Sequence, residues 1–534
     1  MYYEYKEIII YVYRKIQEKI KNYLLSDSNK IMIIDGVRKI GKSFIIRYVG
    51  SELLKEKFNN YIEINFVEDS LGNRLFANVN NKEDFYFQLS MIAGDKMHEK
   101  ENTLVFIDEI QEYPQFLTML KFLKQDDRFT YICSGSLLGV TLSKTTSIPI
   151  GSIDVVHMFP LDFEEFLLAN GFNQFAINSL KSKFMQLESL DENTHYKVLD
   201  LFKKYLLIGG LPDAINSFVS KKNIVEVRKI QSDIYDYYGD DASKYDKEHK
   251  LKIKRIYDLI PSCLENKKKR IVVQDIENIK GKRFSSYQDE FDYLINFGIA
   301  LEVKALSTPV FPLIESCGKN LLKLYLNDVG ILTNILYKNN IKALLDDEKS
   351  VNLGTVYKSV VASELKAHGF NLFYYDNKAN GEVDFLIDDY NDLSVVPLKI
   401  KSGKDYTIHS AINKFLTNKD YNVKKGYVLS NERKVFEENN PIYLPIYYIM
   451  FFLNHQKSFS FLSLKLSFSY LTISPGFRLE VTSSNSLSIA SDAHNNIPCD
   501  STPLSLTGLR FFTTTTFLPI ILDGSYHLAI PDTI

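Results

Sequence analysis

Apolar and polar positions alternate in two periods along the first 160 residues. Short apolar runs occur at Ile31 to Ile34, Tyr61 to Phe66, Thr103 to Ile107, Tyr131 to Cys133 and Ile153 to Met158. Each is of strand length and is bounded by polar or Gly-containing segments. Helical lengths separate them, which predicts crossover connections and a parallel sheet covered on both faces, an α/β design. Before the first strand, Ile8, Tyr11, Val12, Ile16, Ile20 and Leu24 recur at helical spacing, so residues 5–25 are expected to form an amphipathic helix. From Pro160-Leu161-Asp162-Phe163-Glu164-Glu165-Phe166-Leu167, with acids in a first turn, to about Tyr245 the pattern is mainly helical, and Gly209-Gly210 interrupts it locally. We read 1–159 as a nucleotide-type core and 160–245 as a helical lid.

Residues 246–335 read as a compact, mostly helical unit, with Pro261 and Gly281 as breakers and a short strand pair near Ala305 to Leu313. Residues 352–452 change character. Val356 to Ala367 predicts a helix, and Asn371 to Tyr375 and Glu382 to Ile387 predict a hairpin. Leu393 to Lys401 and Tyr427 to Ser430 predict two further strands. From about Leu453 to residue 534 the chain becomes dense in Ser, Thr, Phe and Leu. Alternation at Ser463-Leu464-Lys465-Leu466-Ser467-Phe468-Ser469-Tyr470 suits an exposed strand former. A small β-rich appendage, a partly disordered tail and sequence foreign to the ancestral chain all remain open for this stretch.

The chemistry concentrates at strand ends. Gly36-Val37-Arg38-Lys39-Ile40-Gly41-Lys42-Ser43, followed by Phe44, satisfies G-x-x-x-x-G-K-[ST] at every fixed position. Its flanks supply the strand and helix that the motif requires. Backbone N–H groups of such a loop turn toward phosphate oxygens, Lys42 reaches the β- and γ-phosphates, and Ser43 offers a hydroxyl to Mg²⁺. Asp108 and Glu109 end the third run, and Ser134 and Ser136 follow the fourth. Asp108 is expected to hold the Mg²⁺ hydration shell with Ser43, Glu109 to polarise the attacking water, and Ser134 or Ser136 to sense the γ-phosphate. Ligands of such sheets bind beyond the carboxyl ends of strands, where all these residues fall.

Composition narrows the field without naming a partner. The chain has 534 residues, 45% apolar, with a formal net charge of -2, so no whole-protein field selects nucleic acid or anionic membrane. Basic clusters at Lys247 to Arg255 and Lys267 to Arg270 are the local exception. Four cysteines (Cys133, Cys263, Cys317, Cys499) without ligand-like spacing argue against structural zinc and for a reducing, cytoplasmic setting. Charges interrupt Met1 to Leu24 too often for a signal peptide, and no membrane insertion is expected.

In the carboxyl-terminal part, Asp384 on one predicted strand and Lys399 and Lys401 on the next, on one face by period two, outline a weak, degenerate nuclease-like site. A helix before a mixed sheet with this acid-and-lysine layout is that of restriction-endonuclease-like domains. Working members carry a metal-binding carboxylate two residues before the lysine. Here that position is Lys399, and a lysine replaces attraction of a cation by repulsion.

Taken in order, these motifs resemble prokaryotic AAA-type ATPases with a carboxyl-terminal restriction-endonuclease-like domain of uncharacterised function, over about residues 14–452. The phosphate loop, Val105-Phe106-Ile107-Asp108-Glu109-Ile110-Gln111, Ser134-Gly135-Ser136 and Phe159 to Phe166 carry the likeness. So do Tyr205 to Pro212, Glu364-Leu365, Gly381 to Phe385 and Pro397 to Gly403. The resemblance implies ATP binding and hydrolysis at Lys42, Ser43, Asp108 and Glu109, and a winged-helix-like unit near 246–335. Three departures stand out: Lys399 for a carboxylate, Lys358 for the Glu common in the preceding helix, and Gly151-Ser152 for a Gly-Arg pair. The first two imply a nuclease fold without nuclease chemistry, and the third removes an arginine near the phosphates. The expected function is a Mg²⁺-dependent ATPase coupling nucleotide state to a protein or nucleic-acid partner. A non-hydrolysing nucleotide-dependent regulator and an ATP-coupled nuclease are the alternatives. Arg128, Arg270 and Arg283 are candidates for an arginine supplied between subunits, and the oligomeric state is not readable.

Overall fold

The computed structural model describes residues 12–98, 100–136, 151–244, 250–265, 271–317, 322–346, 353–377, 381–401, 410–438, 440–454, 477–481 and 487–491. The chain divides into two units, Met1–Ser458 and Phe459–Ile534.

Five strands, β1 (Ile31–Asp35), β2 (Asn60–Asn65), β3 (Thr103–Asp108), β4 (Thr130–Gly135) and β5 (Ile153–His157), make a sheet in the order β2-β3-β4-β1-β5. All neighbouring pairs are parallel, with Ile33 opposite Cys133 and Phe106 opposite Ile132. The period-two alternation sends the two halves of each apolar run into different cores. Met32, Ile34, Leu104, Phe106 and Ile132 enter one core, which the helix Ile16–Leu25 covers through Ile16, Ile20 and Leu24. Ile31, Ile33, Val105, Ile107 and Cys133 enter the other, against Phe85 and Leu89 of Lys82–Ala93 and Phe116, Leu120 and Leu123 of Gln115–Asp126. Burial on both faces is why these strands read as continuous apolar runs.

The first helix starts at Ile16, later than its periodicity suggested. Ile8 and Tyr11 lie outside the described residues, and Val12 is buried before the helix begins. The next helix-rich part comprises Phe163–Ala169, Gln174–Met185, Glu192–Ile208, Pro212–Lys221 and Ile224–Lys244. Its first member starts at Phe163, because Asp162 caps it: the Asp162 side chain accepts from the Glu165 N–H, and Glu165 accepts from the Asp162 N–H, a reciprocal box.

Two expectations for the middle of the chain are corrected. The strand pair is β6 (Ala300–Ala305) with β7 (Leu322–Leu326), while Leu313–Ser316 is a helical turn. Pro261 does not break its helix, which runs Lys250–Glu265 through it. Ile253, Ile256, Ile260 and Leu264 are all buried there, and that packing offsets the one hydrogen bond a proline removes.

The strands β6 and β7 also extend the sheet of the following region. With β8 (Phe373–Asn377), β9 (Gly381–Asp389), β10 (Ser394–Ile400), β11 (Gly426–Ser430), β12 (Phe436–Glu437) and β13 (Pro441–Pro445) they form eight strands in the order β12-β13-β11-β10-β9-β8-β6-β7. The β8–β9 hairpin is antiparallel, as its alternation predicted, and β6 joins β8 in parallel, covering an edge that would otherwise be open. The helix Leu353–Ala367 packs on this sheet. In the second unit, Phe477–Val481 and Leu487–Ser491 form an antiparallel hairpin, while the serine-alternating stretch 463–470 lies outside the described residues.

Candidate functional site

At the carboxyl end of β1 the chain makes the turn that the glycines allow. Gly36 has φ +149°, and a Cβ there would meet the Met158 carbonyl oxygen at 2.5 Å and Ile40 Cδ1 at 2.7 Å. Gly41, at φ +90°, delivers the chain into the helix Lys42–Arg47, whose first internal bond runs from the Ile45 N–H to the Gly41 carbonyl at 3.0 Å. Lys42 is buried, and its ammonium donates to the carbonyls of Gly36 (2.8 Å) and Val37 (2.9 Å). Burial lowers its pKa, against the pull of Glu109, Asp35 and Asp108. A phosphate in the loop would give this ammonium a counter-charge that the two carbonyls do not. Phe44, two residues on in the same helix, is 40% exposed.

The ends of β3 and β4 meet the loop. Asp108 is buried, and burial raises its pKa against hydrogen bonds from Ser134 and Ser43. Ser134 therefore holds Asp108 through its hydroxyl. Ser134 is fully buried, with this hydroxyl turned onto Asp108. Ser136, one residue past the end of β4, is buried as well. Its hydroxyl lies 3.3 Å from Glu109 Oε2, 3.2 Å from Gln111 Nε2 and 3.4 Å from Arg38 Nε. Glu109 sits in the left-handed region at φ +54°, and its carboxylate also accepts from Gln111 Nε2. Gln111 in turn accepts the Ser136 N–H at 3.0 Å.

Arg38, inside the phosphate loop, reaches both ways. Its guanidinium is 4.0 Å from Glu109 and 3.3 Å from Asp241, and donates to the Tyr237 hydroxyl at 2.7 Å. The Tyr238 hydroxyl donates to the Arg38 carbonyl at 2.8 Å. The helix Ile224–Lys244 is thus wired to the loop. Arg14 does the same from the other side: Nε pairs with Glu165 at 3.1 Å, and Nη1 and Nη2 donate to the carbonyls of Ile40 (2.9 Å) and Phe159 (2.6 Å). Asp35, at the end of β1, pairs with His157 Nδ1 at 3.0 Å. Sequence reasoning assigned no role to Arg14, Gln111, Tyr237 or Asp241. Only Gln111 lay inside a recognised motif.

The carboxyl-terminal candidates also converge. Asp384 on β9 is buried between lysines: Lys358 of the helix Leu353–Ala367 pairs with Oδ1, and Lys399 of β10 pairs with Oδ2 at 3.2 Å. Lys399 also donates to the Glu382 carbonyl at 2.9 Å, and the Ile400 N–H donates to Asp384 at 2.9 Å. Lys323 of β7 crosses the sheet to Glu382 at 2.6 Å, passing 4.0 Å over the Tyr374 ring. The Asp384 carboxyl is held well below the usual range by these ammonium groups, which overcome its burial. Lys401, just past the end of β10, gives its N–H to the Leu429 carbonyl at 2.9 Å. No His/Cys/Asp/Glu group able to hold a metal occurs among the described residues.

The remaining candidates divide. Lys254 pairs with Asp240 at 2.7 Å and Lys252 with Glu290 at 3.8 Å, while 245–249 and 266–270 lie outside the described residues, Arg270 among them. Arg128 stacks over Tyr86 and Phe129. Arg283 immediately precedes the helical turn Phe284–Tyr287. Among the described residues no helix is long and apolar enough to cross a membrane.

Comparison with known proteins matches residues 28–167 to the AAA domain family, and residues 199–342 and 353–449 to two domains of unknown function, DUF8612 and DUF4143. The chain carries an AAA-type P-loop ATPase domain followed by uncharacterised domains. Two uncharacterised proteins of Methanocaldococcus jannaschii are similar. MJ1544 is 25% identical over 368 residues, covering 67% of this chain and 72% of its own length. MJ1637 is 24% identical over 454 residues, covering 81% and 87%. Among solved structures, the Walker-type ATPase paby2304 of Pyrococcus abyssi aligns at 13% identity with a TM-score of 0.37, over 60% of this chain and 95% of its own. AMPPCP-bound DnaA from Aquifex aeolicus aligns at 12% identity with a TM-score of 0.26, over 54% and 95%. Scores at this level establish no common fold.

Proposed function

We propose that the protein binds ATP with Mg²⁺ at the loop Gly36 to Ser43 and hydrolyses it, using nucleotide state to alter how the helices of 160–245 hold the loop. The observation that carries this is convergence: Lys42 and Ser43 after β1, Asp108 and Glu109 after β3, and Ser136 after β4 meet at one sheet edge. Ser43 and Asp108, a hydroxyl hydrogen-bonded to a carboxyl, are a hard-oxygen pair suited to Mg²⁺. When bound, the ion would neutralise charge developing on the phosphoryl oxygens.

The chain's own residues do the rest. Lys42 leaves the carbonyls of Gly36 and Val37 for the β- and γ-phosphates. The N–H groups of the loop and of the helix start surround the phosphate oxygens. Glu109 orients and polarises the attacking water once a γ-phosphate draws Arg38 and Ser136 away from it. The same shift loosens Arg38 from Asp241 and Tyr237, so the helix Ile224–Lys244 feels the nucleotide. In the carboxyl-terminal part, Lys358 and Lys399 fill the surroundings of Asp384 with positive charge, which supports a partner-binding module rather than a metal-dependent nuclease.

The test is equilibrium binding of Mg·ATP by the full chain and by Lys42→Ala. Loss of at least a hundredfold in affinity is expected, and equal affinity in the variant would sink the assignment.

A further inference from the structure

Among the described residues the charges around Asp384 do not cancel. Three ammonium groups, Lys323, Lys358 and Lys399, come from a strand, a helix and a second strand. They face two carboxylates, Glu382 and Asp384. Asp384 is shared by Lys358 and Lys399, and Glu382 is taken by Lys323, with Lys358 4.0 Å away. Lys323 and Lys358 are buried, and burial lowers the Lys323 pKa against the pull of Glu382, so these ammonium groups depend on the charges around them rather than on water. Among the described residues the cluster is most exposed at Glu382 and Lys399, whose side chains are 29% and 17% exposed. An unbalanced positive charge in such a setting is costly unless an anion completes it.

We propose that this cluster is a phosphate-binding site, entered beside Lys399 and Glu382. Lysine ammonium groups act as compact point charges with rotatable donors, and three from different elements approach a tetrahedral oxyanion from different directions. The same surplus excludes a divalent cation, so binding needs no metal. A free phosphate and the phosphate of a nucleic-acid strand share this chemistry. The site is independent of the ATP-binding reading, since none of its residues touches the loop at Gly36 to Ser43.

Charge arithmetic gives variants with opposite signs. Lys399→Met leaves two ammonium groups and two carboxylates, a neutral cluster. Glu382→Gln leaves three against one. The measurement uses the full chain in a Lys42→Ala background, which keeps phosphate out of the ATP loop, with folding verified by circular dichroism. Equilibrium dialysis with radiolabelled inorganic phosphate and fluorescence anisotropy of a single-stranded oligonucleotide, with and without a 5′-phosphate, are run without divalent metal. We expect Lys399→Met to weaken binding at least tenfold and Glu382→Gln to tighten it severalfold, in at least one of the two assays. Sensitivity only to inorganic phosphate identifies a small anion. A preference for the 5′-phosphorylated strand identifies a nucleic-acid end, and equal binding of both strands an internal phosphodiester. Binding unaffected by either substitution, weakened by both, or absent in both assays overturns the proposal.

Discussion

Replacing Arg14 by methionine tests how the ATP loop is held. Methionine keeps most of the apolar stem and removes the guanidinium. The substitution breaks a 3.1 Å ion pair with Glu165 and leaves the carbonyls of Ile40 and Phe159 without their donors. Breaking one side of a buried pair costs about 3–5 kcal/mol, and an orphaned buried acceptor about 1 kcal/mol or more. Two features moderate the sum: Glu165 keeps the N–H groups of Lys15 and Asp162 as donors, and the Lys15 ammonium stands by at Asp162 and Glu164. We expect a loss of about 4 kcal/mol, toward the middle of the range for a buried pair. Burial already raises the Glu165 pKa, and without Arg14 it rises further. A carboxyl raised in the folded state binds more protons there than in the unfolded chain, so the variant's deficit shrinks as pH falls through the folded value. Because Ile40 belongs to the loop, Mg·ATP affinity should also fall, by roughly fivefold to tenfold, about 1 kcal/mol. Urea unfolding of wild type, Arg14→Met, Glu165→Gln and the double variant closes a cycle, in which the double variant regains about 2 kcal/mol of the single loss. A single variant within about 0.5 kcal/mol of wild type, the scatter of an ordinary surface change, with unchanged ATP affinity, would refute this reasoning.

Other expectations follow from single positions. Asp328 is buried, accepts from the Gly210 and Ile331 N–H groups, and has its pKa pushed up to about 6 by burial. The folded state then holds a proton that the unfolded chain releases near 3.8, so stability falls as pH rises from about 4 to about 6, by about 3 kcal/mol. Asp328→Asn should flatten that slope in unfolding measured across the window. Gly210→Ala would place a Cβ 2.1 Å from the Leu161 carbonyl oxygen and 2.7 Å from its nitrogen, and denaturant unfolding should show a loss of about 3 kcal/mol. Gln111→Ala removes a side chain that touches both Glu109 and Ser136. Steady-state kinetics should show kcat lowered roughly tenfold with little change in KM, as expected of a positioning residue.

What the sequence disclosed follows from how local each signal is. The five strands of the first sheet are short apolar runs buried on both faces, so their existence and order along the chain were readable within two residues. The phosphate loop is eight consecutive residues with fixed glycines, and Gly36 and Gly41 adopt the positive φ that those glycines permit. Arg14 was invisible because its partners lie 26, 145 and 151 residues away, and nothing beside it in the chain announces them. The union of β6 and β7 with the later strands was equally nonlocal, so 246–335 read as a separate helical unit. Pro261 misled for the opposite reason: a strong local breaker was overridden by packing that the local pattern does not weigh. Around Asp384 the reading went further, since Lys358 and Lys399 were marked as replacements for acids. The helix Leu353–Ala367 brings Lys358, and β10 brings Lys399, onto that carboxylate, while Lys323, seventy-six residues before Lys399 and on no recognised motif, reaches the neighbouring Glu382.

The central claim, ATP turnover with Glu109 orienting the water, meets its most direct test in steady-state phosphate release at saturating Mg·ATP. The account predicts turnover by the wild-type chain and a loss of at least a hundredfold in Glu109→Gln, with Mg·ATP affinity retained. Equal turnover in the two proteins, or none in either, would contradict it.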